Sequence, residues 1–224
     1  MANQSKPAFR FLDLPPELRM RVYSHLFVVD GTIGISRWYD RPNKRCRINV
    51  HQTGIGPRYR KMTLPVGMFR SCRLIHREAT PVLYGENAFR VIQKPFRHDP
   101  FLEQIGSAVR YLRRFCMCSM EKFSKDRRRS FHTLAQATML SQLSIRVCNW
   151  HGQWTSEKIA KEVGPLIRSL HKSQKKRRDR KQRNVLEILT ITTNDKFCQQ
   201  CRASSDAAKK YEDEVRELIA KTLK

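Results

Sequence analysis

The chain has 224 residues, 45 Lys and Arg against 20 Asp and Glu, and a formal charge of +25 at pH 7. That length holds one sizeable core or a small helical module joined to a second layer, and the charge implies attraction to nucleic acid, acidic lipid or an acidic protein surface. With seven cysteines, no N-terminal apolar run suited to a signal peptide and none long enough to span a bilayer, the expectation is a nuclear or cytoplasmic protein. Its thiols should be reduced and it should have no membrane association.

The segment from Phe11 to Phe27 joins a helix start signal to an apolar stripe. Asp13 is the N-cap candidate, Pro15 and Pro16 suit a first turn whose N–H groups have no partner, and Glu17 favours the positive end of the helix dipole. Leu14, Leu18, Val22 and Leu26 recur every fourth residue, and Tyr23 and Phe27 widen the stripe. A helix so apolar on one side has to dock, either on its own domain or on another protein.

Two short strands are predicted next, Thr32 to Tyr39 and Cys46 to Val50, joined by a turn at Arg41-Pro42-Asn43. Gly54, Gly56 and Pro57 read as a loop. A second amphipathic helix is expected from Val66 to Ala79, with Met68, Cys72, Ile75 and Ala79 on one face and Phe69 beside them. Thr80-Pro81 should cap a short new turn through Val82-Leu83-Tyr84 that Gly85 stops. Ala88 to Ile92 reads as a strand.

The remainder alternates strand and helix. Arg110 to Cys116, Leu143 to Cys148 and Leu186 to Thr192 are the strands. Phe131 to Leu140, Ser156 to Leu170 (bent near Gly164-Pro165) and Ser205 to Leu223 are the helices. The last presents Tyr211, Val215, Leu218, Ile219 and Leu223 on one side. On the other, Lys209/Asp213, Lys210/Glu214 and Glu217/Lys221 stand at i,i+4. Strand–helix–strand order implies a small parallel sheet with right-handed crossovers. Leu140-x-x-Leu143-x-Ile145-x-x-Cys148 and Leu186-x-x-Leu189-x-Ile191-x-x-Asn194 fit the leucine-rich-repeat strand signature, and Val109, Leu112 and Phe115 fit it less well. The good copies lie farther apart than a usual repeat, so the expectation is a leucine-rich-repeat-like layer and not a solenoid.

The densest basic run supplies Lys172, Lys175, Lys176, Arg177, Arg178, Arg180, Lys181 and Arg183, and a smaller one spans Lys125 to Arg129. Such blocks are read by nuclear import receptors or hold phosphates by counterion release, and also serve as plain solubilising segments. Nucleic-acid binding draws further support from Trp38, Tyr39, Tyr59 and Trp154 near arginines, although no known RNA- or DNA-binding signature is present.

Leu14-Pro15-Pro16-Glu17-Leu18 followed by Val22, Tyr23 and Leu26 resembles the first helix of an F-box. Phe69-Arg70-Ser71-Cys72-Arg73-Leu74-Ile75-His76-Arg77-Glu78-Ala79 resembles a later one. With Thr80 to Phe89 added, the two blocks resemble a group of fungal F-box-like proteins over about residues 9 to 92. The resemblance implies a protein–protein adaptor that grips the small acidic Skp-type subunit of a cullin ubiquitin ligase and captures an unknown protein substrate through its C-terminal layer. Leu14, Pro15, Leu18, Val22 and Leu26 would supply the apolar contact and Arg19 and Arg21 the charge. Here a segment of strand character separates the two helices where an ordinary F-box has a short connection. The stripe packing internally on the second helix is the competing reading.

Chemistry is sparse. Cys198-x-x-Cys201 and Cys148-x-x-His151 have zinc-ligand spacing, but scattered reduced thiols explain them as well, so no metal or other cofactor is expected. His25 and His76 read as boundary histidines. No nucleophile elbow, phosphate-cradling glycine loop, metalloprotease helix or carboxylate pair is recognisable, so a non-enzyme is expected. The fold expected is α/β, with F-box-like helices carrying a β insertion (residues 9–95) and a leucine-rich-repeat-like parallel sheet flanked by helices (residues 96–224), packed as one unit. The alternative function is a basic nucleic-acid-binding or nuclear scaffold protein.

Overall fold

Two prolines decide where the first helix begins. In the computed structural model, which describes residues 10–40, 45–54, 56–61, 63–93, 101–119, 125–147, 155–175, 185–192 and 205–223, helix α1 spans Pro16–Phe27. Pro16 holds the first helical position, where its fixed φ and missing N–H do no harm. The Pro15 carbonyl accepts from the N–H groups of Leu18 and Arg19. Asp13 is therefore not the N-cap; it belongs to a preceding turn of 3-10 helix, Phe11–Asp13.

Strands β1 (Thr32–Asp40), β2 (Arg45–Gly54) and β3 (Gly56–Lys61) form an antiparallel meander. Of the residues expected to form a loop, Gly54 thus ends β2, and Gly56 and Pro57 open a third strand. Pro57 is tolerated because β3 lies at the sheet edge, where a missing N–H need not break a ladder. Strands β4 (Ala88–Gln93), β5 (Arg114–Ser119), β6 (Gln142–Val147) and β7 (Leu189–Thr192) extend β1 in parallel. The described residues make one seven-stranded sheet of order β3-β2-β1-β4-β5-β6-β7.

Helix α2 spans Arg73–Glu86 and continues through Pro81, where the sequence suggested a break. Pro81 frees the carbonyl of Arg77, a residue on the solvent side, so water can take up the lost bond. A 3-10 turn, Val66–Arg70, precedes α2, and the Cys72 thiol caps it by accepting from Ile75 N–H. Helix α5 (Ser156–Lys175) likewise continues past Pro165.

Helix α3 (Phe101–Ile105) ends at Gly106, whose φ of 52° suits a residue without a side chain. The 3-10 turn Gly106–Tyr111 that follows occupies the start of the strand expected from Arg110. Helix α4 is Lys125–Leu134 and takes in the smaller basic run, earlier than the expected Phe131 start. Phe131, Leu134, Ala137 and Leu140 are all buried, but their three-residue spacing continues beyond the helix in hydrogen-bonded turns. Strand β7 starts at Leu189, after a turn in which Leu189 N–H reaches Leu186 O. Helix α6 spans Ser205–Lys221, and its Glu217–Lys221 pair closes to 3.2 Å.

Two rows of side chains form the centre of the core. Ile33, Phe89, Phe115, Leu143 and Leu189 stand side by side on successive parallel strands, as do Ile35, Val91, Met117, Ile145 and Ile191, and all ten are buried. Each crossover moves one strand in the same direction, so right-handed connections lay the helices on one face of the sheet. Neighbouring helices accordingly touch in chain order: α3 with α4, α4 with α5 and α5 with α6. Helix α1 packs on α2 at the β1 end.

The β7 edge is covered by α6. Ile191 N–H donates to Glu212 Oε1 at 3.3 Å, Arg216 donates to Leu189 O at 2.7 Å, and the two side chains pair at 2.9 Å. An exposed edge of this kind templates pairing with other chains. Replacing both Glu212 and Arg216 by alanine should lower stability by only about 1–2 kcal/mol while sharply raising light scattering below the melting midpoint. Unchanged scattering would show that this cover does not guard the edge.

Candidate docking face on the first helix

Helix α1 is fixed by polar groups on its inward side. The Arg19 guanidinium donates to both Glu78 oxygens of α2, at 3.0 and 2.7 Å, and to the carbonyls of Leu12 and Leu14 at 3.2 and 2.6 Å. The Tyr23 hydroxyl donates to Glu78 Oε2 at 3.0 Å. One planar fork thus joins the opening turn, α1 and α2, a geometry lysine could not reproduce. Arg19's hydrogen bonds hold the Glu78 carboxyl below its ordinary range, with a smaller contribution from Tyr23, against an opposing effect of desolvation. Burial, and then the bond to Glu78, pushes Tyr23 up to about 12.

Asn87 closes the other end of the helix pair. Its amide nitrogen donates to Phe27 O at the end of α1 and to Leu83 O in α2, both at 2.8 Å, and its oxygen accepts from Val29 N–H at 2.9 Å. Aromatic contacts accompany the two polar ties. Phe11 meets Tyr23 edge-on at 5.6 Å and Phe27 meets Phe69 at 4.8 Å.

The buried face of α1 is therefore Arg19, Tyr23 and Phe27. The stripe expected to dock sits one helical position away: Leu18 and Leu26 are 42% and 40% exposed, Leu14 and Val22 are half-buried and Pro15 is exposed. Arg19, expected to offer its charge to a partner, is turned inward and fully engaged with Glu78; Arg21 is exposed. Among the described residues the large apolar side chains left most exposed are Leu12, Leu18, Met20, Leu26, Val28 and Val66. All lie on α1, its two flanks or the 3-10 turn whose Phe69 packs on Phe27. Leu12, Met20, Val28 and Val66 fall outside the four-residue spacing from which the stripe was read.

Of the basic run, Lys172 is exposed on α5 and Lys175 is the last residue of that helix, while Lys176, Arg177, Arg178, Arg180, Lys181 and Arg183 lie outside the described residues. Cys148, His151, Cys198, Cys201 and Trp154 also lie outside them. His25 and His76 are exposed, the latter edge-on to Phe69 at 6.0 Å. Among the described residues no three His, Cys, Asp or Glu side chains gather as metal ligands, and no helix is long and apolar enough to cross a membrane. A depression along α6, lined by Lys209, Lys210, Asp213, Glu214 and Glu217, is open and formed by one helix. No protein-family model, curated protein or solved structure matches this chain.

Proposed function

We propose that the protein is a protein–protein adaptor whose α1 face receives an acidic Skp-type subunit of a cullin ubiquitin ligase, with the leucine-rich-repeat-like layer behind it facing a substrate. The supporting observation is the concentration of exposed apolar side chains on α1 and its flanks. Leu18, Val22 and Leu26 at i, i+4 and i+8 are the spacing of a helix laid in a groove. Full burial of such side chains contributes about 1 kcal/mol or more each. Arg21, with Arg19 committed internally, is the charge that α1 has left for an acidic partner. The β1–β3 insertion does not part the helices, since Arg19 and Asn87 hold α1 against α2 across it.

The test is co-purification with a Skp-type protein. Because Leu18 and Leu26 are substantially exposed, Leu18→Asp and Leu26→Asp should shift stability by no more than roughly 0.5–1 kcal/mol. Each should cut retention of the adaptor at least about tenfold, the equivalent of 1.4 kcal/mol. A folded wild-type chain that retains no adaptor ends this reading. Variants that keep binding would move the contact off α1.

A further inference from the structure

The sheet has a second face. The alternation that sends Phe89, Val91, Phe115, Met117, Leu143, Ile145, Leu189 and Ile191 towards the helices turns Arg90, Arg114, Cys116, Ser144, Arg146 and Thr190 the other way. That face carries an arginine on each of three adjacent strands, β4, β5 and β6. None of the strands β4 to β7 contains an acidic residue.

Two of these arginines each bury one donor that has no acceptor among the described residues. The Nε atoms of Arg90 and Arg146 are buried with no hydrogen-bond acceptor, although each side chain as a whole is half-buried. A buried donor left unsatisfied is rare in a folded protein and calls for an acceptor. The two residues flank β5: Arg90 is level with Cys116 and Ser144, and Arg146 lies two residues beyond Ser144. Strand spacing and rise put their Cα atoms about 12 Å apart, with Arg114 about 8 Å from Arg90. Arg114 is exposed and donates to the Glu86 carbonyl.

We infer that this face docks an extended acidic segment of a partner protein, with Asp or Glu carboxylates taking the Arg90 and Arg146 guanidinium groups. Discrete cations spread over three strands match several carboxylates along a chain better than one compact anion. Single-stranded nucleic acid fits less well, because binding to a sheet relies on bases stacking on displayed aromatic rings. The aromatic residues of β4 to β7, Phe89 and Phe115, are both buried on the helix side. The inference goes beyond the α1 reading and holds whether or not α1 binds an adaptor.

The probe is a fluorescent alternating Glu-Ser peptide, with its Gln-Ser counterpart and an oligothymidylate of equal charge as comparisons, measured by anisotropy at near-physiological salt. Wild type should bind the Glu-Ser peptide and not the Gln-Ser one. Arg90→Gln and Arg146→Gln should each weaken binding about tenfold or more, the loss of a charge-assisted hydrogen bond. Diffuse attraction to a chain with 45 Lys and Arg would barely notice one charge fewer. Arg90→Lys and Arg146→Lys, which keep charge and stem but not the fork, should also lose affinity, and they decide the matter if the Gln variants melt early. Wild-type affinity in the Lys variants overturns the inference. So does equal binding of the Gln-Ser peptide, or oligothymidylate binding that falls in parallel on the same variants.

Discussion

Asn87→Ala should lower stability by about 3–4 kcal/mol, among the largest effects expected for one polar side chain here. Asn87 is 1% exposed and makes three hydrogen bonds, two from its nitrogen to Phe27 O and Leu83 O and one to its oxygen from Val29 N–H. Truncation leaves two carbonyls and an N–H without this partner in a site too enclosed for easy hydration, at roughly 1–3 kcal/mol for each group left bare. Partial relaxation keeps the total below the sum. For a chain of this size the melting midpoint should fall by about 8–12 °C. Asn87→Asp is the informative companion: it keeps the acceptor for Val29 N–H but sets a carboxylate against two carbonyls. It should recover none of the loss at neutral pH. Calorimetry of the two variants tests this, and hydrogen exchange at Val29 reports whether the end of α1 has come loose. A change below about 1 kcal/mol for Asn87→Ala would mean that water replaces the amide without penalty.

The legibility of this chain differs between its two halves for a physical reason. The strand-and-helix alternation after Ala88 and the apolar rows led by Leu143/Ile145 and Leu189/Ile191 were readable, because period-two burial is a local property of sequence. The parallel sheet followed from the crossovers alone. Around α1, periodicity alone did not reveal the inward face. Leu14, Leu18, Val22 and Leu26 are the more apolar series, yet the inward series is Arg19, Tyr23 and Phe27, because Glu78 lies 59 residues away and receives the arginine there. No local pattern can announce a charge satisfied at that distance. Arg19 and Tyr23 on α1 and Cys72, Glu78 and Asn87 on or beside α2 are the residues that tie and cap the two helices. Pro81 and Pro57 misled because a proline is judged by what its missing N–H leaves unbonded, and neither the solvent side of α2 nor the outer position of β3 is visible before the fold. The arginine-bearing face of the sheet was missed for the same reason. Arg90 and Arg146 look like ordinary alternating polar residues until strand order places them either side of β5.

The Arg19–Glu78–Tyr23 tie should write itself into the pH dependence of stability, with opposite signs at the two ends. Glu78 titrates below the ordinary glutamate value of 4.5 in the folded chain. Its contribution is therefore complete above that ordinary value and is lost as pH falls through the lower folded one. Tyr23 moves the other way. Raised from 10.0 to about 12, it contributes in full below pH 10.0 and loses that contribution as pH climbs towards the folded value. Glu78→Gln keeps the size of the side chain but strips Arg19 of its counter-charge, and breaking one side of an enclosed ion pair is strongly destabilising. The melting midpoint at pH 7 should drop by about 6–10 °C, and the variant should lose less stability than wild type on acidification. Tyr23→Phe should cost about 1–1.5 kcal/mol at pH 7 and flatten only part of the alkaline decline, because burial also raises Tyr84 and Tyr211. Parallel acid limbs for wild type and Glu78→Gln would mean that this carboxylate is not what couples the helix pair to pH. A reduced acid slope together with reduced adaptor binding would tie the proposed docking face to the clamp beneath it, since Arg19 fixes the inward side of the helix that carries Leu18 and Leu26.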